Sequence, residues 1–170
     1  MMDETARHYK AVMSGKRSKV AGDFWESMIE ASCDYFRRTG AAEISKTPEP
    51  MRPIKPLGQG KFVAYYEKMA QPDYKGTLAG GRAVVFEAKH TDSDRLQRSV
   101  ISSEQEKQLD RHEKLGAECF VMVSFRFEQY FKVPWGVFRD MKSHFGRKYI
   151  TPEDVQGYKV RYTGGVIHFL

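Results

Sequence analysis

The segment YKGTLAGGRAVVFEAK, Tyr74 to Lys89, constrains the fold more than any other part of the chain. Two β-forming runs, Tyr74 to Leu78 and Arg82 to Lys89, flank Ala79-Gly80-Gly81, whose glycines supply the positive φ of a hairpin turn. In such a strand, side chains two apart share a face. Glu87 and Lys89 therefore project together while Phe86 and Ala88 pack the opposite side. Asp73, at the start of the partner strand, can approach the same pair. The apolar Val-Val-Phe before Glu87 marks a buried strand, and a carboxylate at its end is costly unless a metal or a partner charge meets it.

The order of the remaining elements follows from periodicity. Apolar positions from Phe24 to Phe36 recur at helical spacing, so a first helix is expected over Asp23 to Arg38, with Asp23 as its cap and Gly40 as its stop. The polar stretch before it, residues 1–20 with the basic GKRSK cluster, reads as a flexible arm. AAEIS is a short strand. Four of the seven prolines then fall within nine positions, Pro48 to Pro56, which excludes a helix or a central strand there. KFVAYYEKMA fits helix or strand, with helix favoured. SSEQEKQLDRHEKL is a polar helix capped by Ser102 or Ser103 and stopped by Gly116. AECFVMVSF is a buried strand that pairs with Gln129 to Val133. Pro134 opens a further helix through WGVFRDMKSHF, Thr151 caps another at TPEDV with Pro152 in its first turn, and the tail ends in a short strand. The result is an α/β fold with a mixed central sheet flanked by helices.

A chain of 170 residues suits one domain, with residues 21–170 as its body. Lys and Arg number 28 against 22 Asp and Glu, a net charge of +6 that favours a polyanionic partner. Cys33 and Cys119 have no Cys or His at ligand spacing and read as buried free thiols of a reducing compartment. No run is long and apolar enough for a membrane span or a signal peptide, so the expectation is a soluble intracellular protein.

Two carboxylates, Asp73 and Glu87, within reach of one point make a hard-oxygen site suited to Mg²⁺, and the adjacent Lys89 can stabilise charge on a phosphate or orient water. Metal, phosphate, Asp and Glu-x-Lys together indicate phosphodiester hydrolysis. Glu-x-Lys is also a common solvated pair, so the surrounding pattern matters.

That pattern resembles a known family. PDYKGTLAGGRAVVFEAKHT is similar to the PD-(D/E)xK nuclease motif, and more narrowly to the RecU-type Holliday junction resolvases, with Pro72-Asp73, Gly81-Arg82 and Phe86-Glu87-Ala88-Lys89 in order. WESMIEASCDYF, KTPEPMRPIK and SSEQEKQL resemble further segments of that family, and the likeness runs from Phe24 to Val133. Gln71-Pro72 stands where the family usually has paired threonines. The resemblance implies a restriction-endonuclease-like core, a Mg²⁺-dependent endodeoxyribonuclease with Mn²⁺ as a substitute, and branched DNA as the partner. It adds Glu26 as a metal ligand beside Asp73 and Glu87, and Gln105 as a site residue on the helix after the hairpin. It also implies a stalk at residues 53–71. There Lys55, Lys61 and Lys68 can hold phosphates while Phe62, Tyr65 and Tyr66 stack on bases or pack in a core or dimer contact. Lys75 stands at a common Asn and is counted among the DNA contacts. His90 is read as a solvated strand-end residue. Paired symmetric nicking needs two sites, hence a homodimer in a bacterial or phage-infected cytoplasm. A different PD-(D/E)xK nuclease and a non-catalytic accessory protein of the same fold remain as alternatives.

Overall fold

The computed structural model describes residues 4–66 and 71–170, with side chains from Gly15 onward. Helix α1, Glu4–Thr39, leads to strand β1, Ala42–Lys46, and then to a ribbon of β2, Met51–Gly58, and β3, Lys61–Tyr66. The hairpin β4, Tyr74–Leu78, and β5, Ala83–Thr91, is followed by the short β6, Leu96–Gln97, helix α2, Ser103–Lys114, and strands β7, Glu118–Phe125, and β8, Gln129–Pro134. Helices α3, Trp135–Arg139, and α4, Met141–Phe145, precede β9, Tyr149–Ile150, β10, Lys159–Thr163, and β11, Val166–His168.

Seven strands form one sheet in the order β1-β4-β5-β7-β8-β10-β11. The β5–β7 pair is parallel because α2 carries the chain back across the sheet, and the other neighbours are antiparallel. The sheet is thus mixed. Alternation along its central strands builds a core on each face. Phe86, Phe120 and Met122 pack against Trp25, Ile29 and Phe36 of α1. Val85, Val121 and Val123 share the other face with Leu109 of α2 and with Trp135 and Phe138 of α3. Burial on both faces is why AECFVMVSF carries no polar alternation. Cys33 and Cys119 are buried free thiols, one in each core.

The hairpin turn is as read: Gly80 and Gly81 have φ of 91° and 89°, and the Gly81 N–H donates to the Leu78 carbonyl. Gly76 has a second role, in the middle of β4. A Cβ there would lie 2.7 Å from Ile44 Cα of β1 and closer still to the Glu43 carbonyl oxygen, so only glycine allows the two strands to meet.

Several expectations change. Helix α1 is continuous through Asp23, which caps nothing, and the stretch expected as an arm is helical from Glu4. Glu, Ala, Arg, Lys and Met dominate it without a proline, so helix propensity carries it. KFVAYY is a strand, because the proline-rich segment supplies an antiparallel partner, and the register shifts occur between Pro53 and Lys55 and between Pro56 and Gly58. Every residue of this ribbon is exposed over 51–66, most of the stretch read as a stalk, and residues 67–70 of that stretch lie outside the described ones. The helix expected after Pro134 is broken at Asp140, whose carboxylate Arg139 grips and whose dihedrals leave the helical region. Thr151-Pro152 opens a turn and not a helix: the Asp154 carboxylate accepts from the Thr151 N–H and from Arg147. Among the described residues no helix is long and apolar enough to cross a membrane.

Candidate active site

The β4–β5 register sets the site. Tyr74 pairs with Phe86, so Asp73, one residue earlier, arrives beside Glu87 and Lys89. Asp73 Oδ2 accepts the Ala88 N–H at 2.9 Å and the Lys89 ammonium at 3.1 Å. The same ammonium donates to Glu87 Oε2 at 2.6 Å. Glu87 is fully buried, and its other oxygen, Oε1, has no hydrogen-bond partner among the described residues. Burial pushes the Glu87 carboxyl up to about 8; Lys89 opposes that rise and Asp73 adds to it. For Lys89, burial alone would favour the neutral amine, but the Asp73 and Glu87 carboxylates outweigh it and hold its pKa above the ordinary range.

Helix α2 supplies the fourth member. Ser102 Oγ accepts the Gln105 N–H, and Gln105 Oε1 accepts the Ser102 N–H at 3.1 Å, a reciprocal capping box. The other end of that amide, Nε2, donates to Glu87 Oε2 at 2.6 Å. One glutamine thus starts the helix and holds the carboxylate. Ser-x-x-Gln was readable as a cap; its tie to Glu87 depends on packing between distant segments.

Glu26 lies across the cleft on α1. Its carboxylate is held by Lys46 at the end of β1, 2.6 Å away, and its carbonyl accepts the Tyr74 hydroxyl. Lys46 went unnoticed in the sequence because nothing local links it to a residue twenty positions earlier. The cleft encloses about 1150 Å³ between Glu26, Lys46, Asp73, Ser102 and Gln105, with Tyr66 at the base of the ribbon. Asp73, Glu87, Lys89 and Gln105 are therefore brought together, and Glu26 lines the same cleft as Asp73 and Gln105. Among the described residues no three acidic, His or Cys side chains converge as they stand into a metal-holding group.

The other expected contacts divide. Lys55, Lys61, Phe62 and Tyr66 all stand exposed on the ribbon, Phe62 at 58% and Tyr66 at 63%, so neither aromatic belongs to the core. Lys68 lies outside the described residues. Lys75 meets the cleft wall at one remove: its ammonium donates at 3.1 Å to Oε1 of Gln71, which lines the cleft, and its charge adds to the burial that lowers the His112 pKa. His90 is not solvated. Its side chain is 6% exposed, stacked on Phe127 at 3.8 Å, with Nδ1 against Ser124 Oγ and Nε2 against Asp92.

The family model described as "RecU: Recombination protein U" matches residues 20–170. The chain belongs to this family. The match continues beyond Val133, where the motif resemblance ended, to Leu170. Among RecU proteins similar to this chain, a "Holliday junction resolvase RecU" of Streptococcus pneumoniae strain Taiwan19F-14 is 30% identical over 116 residues, 64% of this chain and 57% of that protein. Another, of Streptococcus pneumoniae serotype 19F strain G54, is 27% identical over 152 residues, 82% of this chain and 75% of that protein. The chain thus spans less than two thirds of the first relative's length. A Holliday junction resolvase structure, Archaeoglobus fulgidus Hjc, aligns over 78% of this chain and 93% of its own with a TM-score of 0.46 and 14% identity. Glu26, Asp73, Glu87, Lys89 and Gln105 all fall within the RecU match.

Proposed function

We propose that this protein is a metal-dependent endodeoxyribonuclease that resolves four-way DNA junctions by paired symmetric nicks, on a restriction-endonuclease-like core. The observation that carries the reading is Glu87: a fully buried carboxylate, with one oxygen unpartnered among the described residues, bridged through Lys89 to Asp73, which lines the large cleft. An orphaned buried oxygen beside a second carboxylate is a hard donor set that fits Mg²⁺, with Mn²⁺ as a substitute. Asp73 and Glu87 would hold the ion, joined by Glu26 on release from Lys46, and the ion would supply Lewis-acid polarisation of the scissile phosphate. Gln105 keeps Glu87 oriented through Nε2. Lys89, freed from the carboxylates it bridges, positions the attacking water and meets the charge that grows on the phosphate. The product is a nick with a 5′-phosphate.

Substrate selection rests on the ribbon. Lys55 and Lys61 face phosphates while Phe62 and Tyr66 stack on bases exposed at the crossover. Lys68 and Lys75 are assigned the same role. Two nicks related by a two-fold axis require two chains, so the protein acts as an isologous homodimer in the cytoplasm. The apolar side of β1 is consumed by the protomer's own core through Ala42 and Ile44, which leaves the ribbon aromatics as the contact candidates.

The test is incubation of labelled four-way junction, duplex and single strand with and without Mg²⁺. Paired cuts confined to the junction and dependent on the ion are expected. Equal cutting of plain duplex points to a general nuclease, and binding without cutting to an accessory protein. Mass in solution and mixing with Glu87→Gln chains test the dimer: heterodimers should nick one strand and stall.

A further inference from the structure

A second basic surface lies beside α2. Gln105 touches the site, and its neighbour Glu106 turns outward to pair with Arg98 at 2.8 Å. Arg98 is in turn fixed. Its Nε donates to the Arg139 carbonyl, its guanidinium lies over the Trp135 ring at 5.2 Å, and its N–H donates to the Lys148 carbonyl at 2.9 Å. A cavity of about 460 Å³ opens here, lined by Arg98, Glu106, Arg139, Lys142 and Lys148. Its Glu106 follows directly on Gln105, which lines the cleft.

Most acidic side chains of this corner are already paired. Glu106 is taken by Arg98, Asp154 by Arg147, and Asp110, Glu113 and Asp140 by Arg139. Lys142, Lys148 and Arg95 are exposed and have no carboxylate within ion-pair distance among the described residues. They also sit on a rigid support. The two-stranded β6–β9 sheet buries Leu96 and Ile150, the pair Gln97–Tyr149 follows on the outer side, and Arg95 and Arg147 each lie 4.8 Å from the Tyr149 ring. Solvated lysines scattered on a surface have no reason to collect on one anchored corner beside a catalytic cleft. Duplex DNA presents a phosphate every 3.4 Å of each strand, so an arm entering the cleft passes several of them across this corner.

We infer that the β6–β9 corner, through Lys142, Lys148 and Arg95, binds the sugar-phosphate backbone of the duplex arm next to the cleaved phosphate, so that the substrate is gripped outside the ribbon as well. This rests on the nuclease reading above and adds a contact to it. The contact is sequence-independent, because only backbone phosphates face it.

The experiment compares two doubly substituted proteins of equal net charge in junction-binding titrations across salt, with thermal melts confirming that each is folded. One is Lys142→Ala with Lys148→Ala. The other is Arg38→Ala with Lys114→Ala, at the far ends of α1 and α2, where twelve residues beyond Glu26 and nine beyond Gln105 place them about 18 Å and about 13 Å along their helices from the site. The corner variant should lose roughly tenfold in affinity at moderate salt, and its log K against log salt slope should fall by about 0.9 per lost contact; the control should change neither. If the two variants behave alike while the unsubstituted protein binds DNA, the corner is a solvated face and the inference falls. If the unsubstituted protein binds no DNA, the nuclease reading fails, and the inference with it.

Discussion

Replacing Lys89 by methionine keeps most of the side-chain volume but removes the cation that bridges two carboxylates. In the structure Lys89 is 19% exposed, Asp73 24% and Glu87 0%, with the ammonium 3.1 Å from one carboxylate and 2.6 Å from the other. Breaking a buried pair costs about 3–5 kcal/mol when the orphaned charge cannot escape. Here it can. With Lys89 present, burial already lifts Glu87 to about 8, so below that pH Glu87 carries a proton and the loss is chiefly that of the partly exposed Asp73 pair, about 1–2 kcal/mol. Lys89 lowers the Glu87 pKa, so its removal raises that pKa further. Between the two values the variant must hold a proton that the normal protein releases, and each pH unit adds about 1.4 kcal/mol to the difference. The sign is definite: a carboxyl whose folded pKa lies above its unfolded value contributes stability that is complete below the unfolded value and is lost as pH climbs through the folded one. Urea titrations of chelator-treated protein at pH 6 and pH 9 should therefore show Lys89→Met destabilising more at pH 9. Turnover on a junction should fall by roughly a hundredfold or more. A destabilisation equal at both pH values, with cutting at the normal rate, would refute the bridged arrangement and return Lys89 to the status of a surface charge.

Asp73→Asn and Glu87→Gln should each abolish junction cutting while gel-shift affinity persists, because they remove charge from the donor set and leave the ribbon untouched; cutting by both would overturn the site. Lys55→Ala with Lys61→Ala should lower junction affinity and reduce the salt slope by about 0.9 per lost phosphate contact, read from binding titrations. Gly76→Ala should destabilise by about 3 kcal/mol or more in urea melts, since the new Cβ meets the backbone of β1 and no side chain can yield. Ser102→Ala should cost about 1 kcal/mol through the lost cap and also slow cutting, because the same box orients Gln105 toward Glu87.

What could be read along the chain is what short-range geometry dictates. The Gly80-Gly81 turn, the shared face of Glu87 and Lys89, the Ser102–Gln105 cap and the two-sided burial of Glu118–Phe125 depend on residues within a few positions of one another, where dihedral preference and strand or helix period act directly. Other features needed the folded chain. KFVAYY became a strand because a proline-rich segment happened to lie beside it, and Asp140 broke a helix because Arg139 held its carboxylate. His90 was buried by Phe127 from a different hairpin. Gly76 is required because β1 crosses at that point, and Glu26 turns to Lys46, twenty residues along. The candidate site shows the same division. Alternation along β5 put Glu87 and Lys89 on one face, but the depth of Glu87, its unpartnered oxygen and its elevated pKa come from α2 closing over the sheet. Burial and electrostatics are set by everything within reach in space, and the linear order of residues specifies that neighbourhood only through the fold it produces.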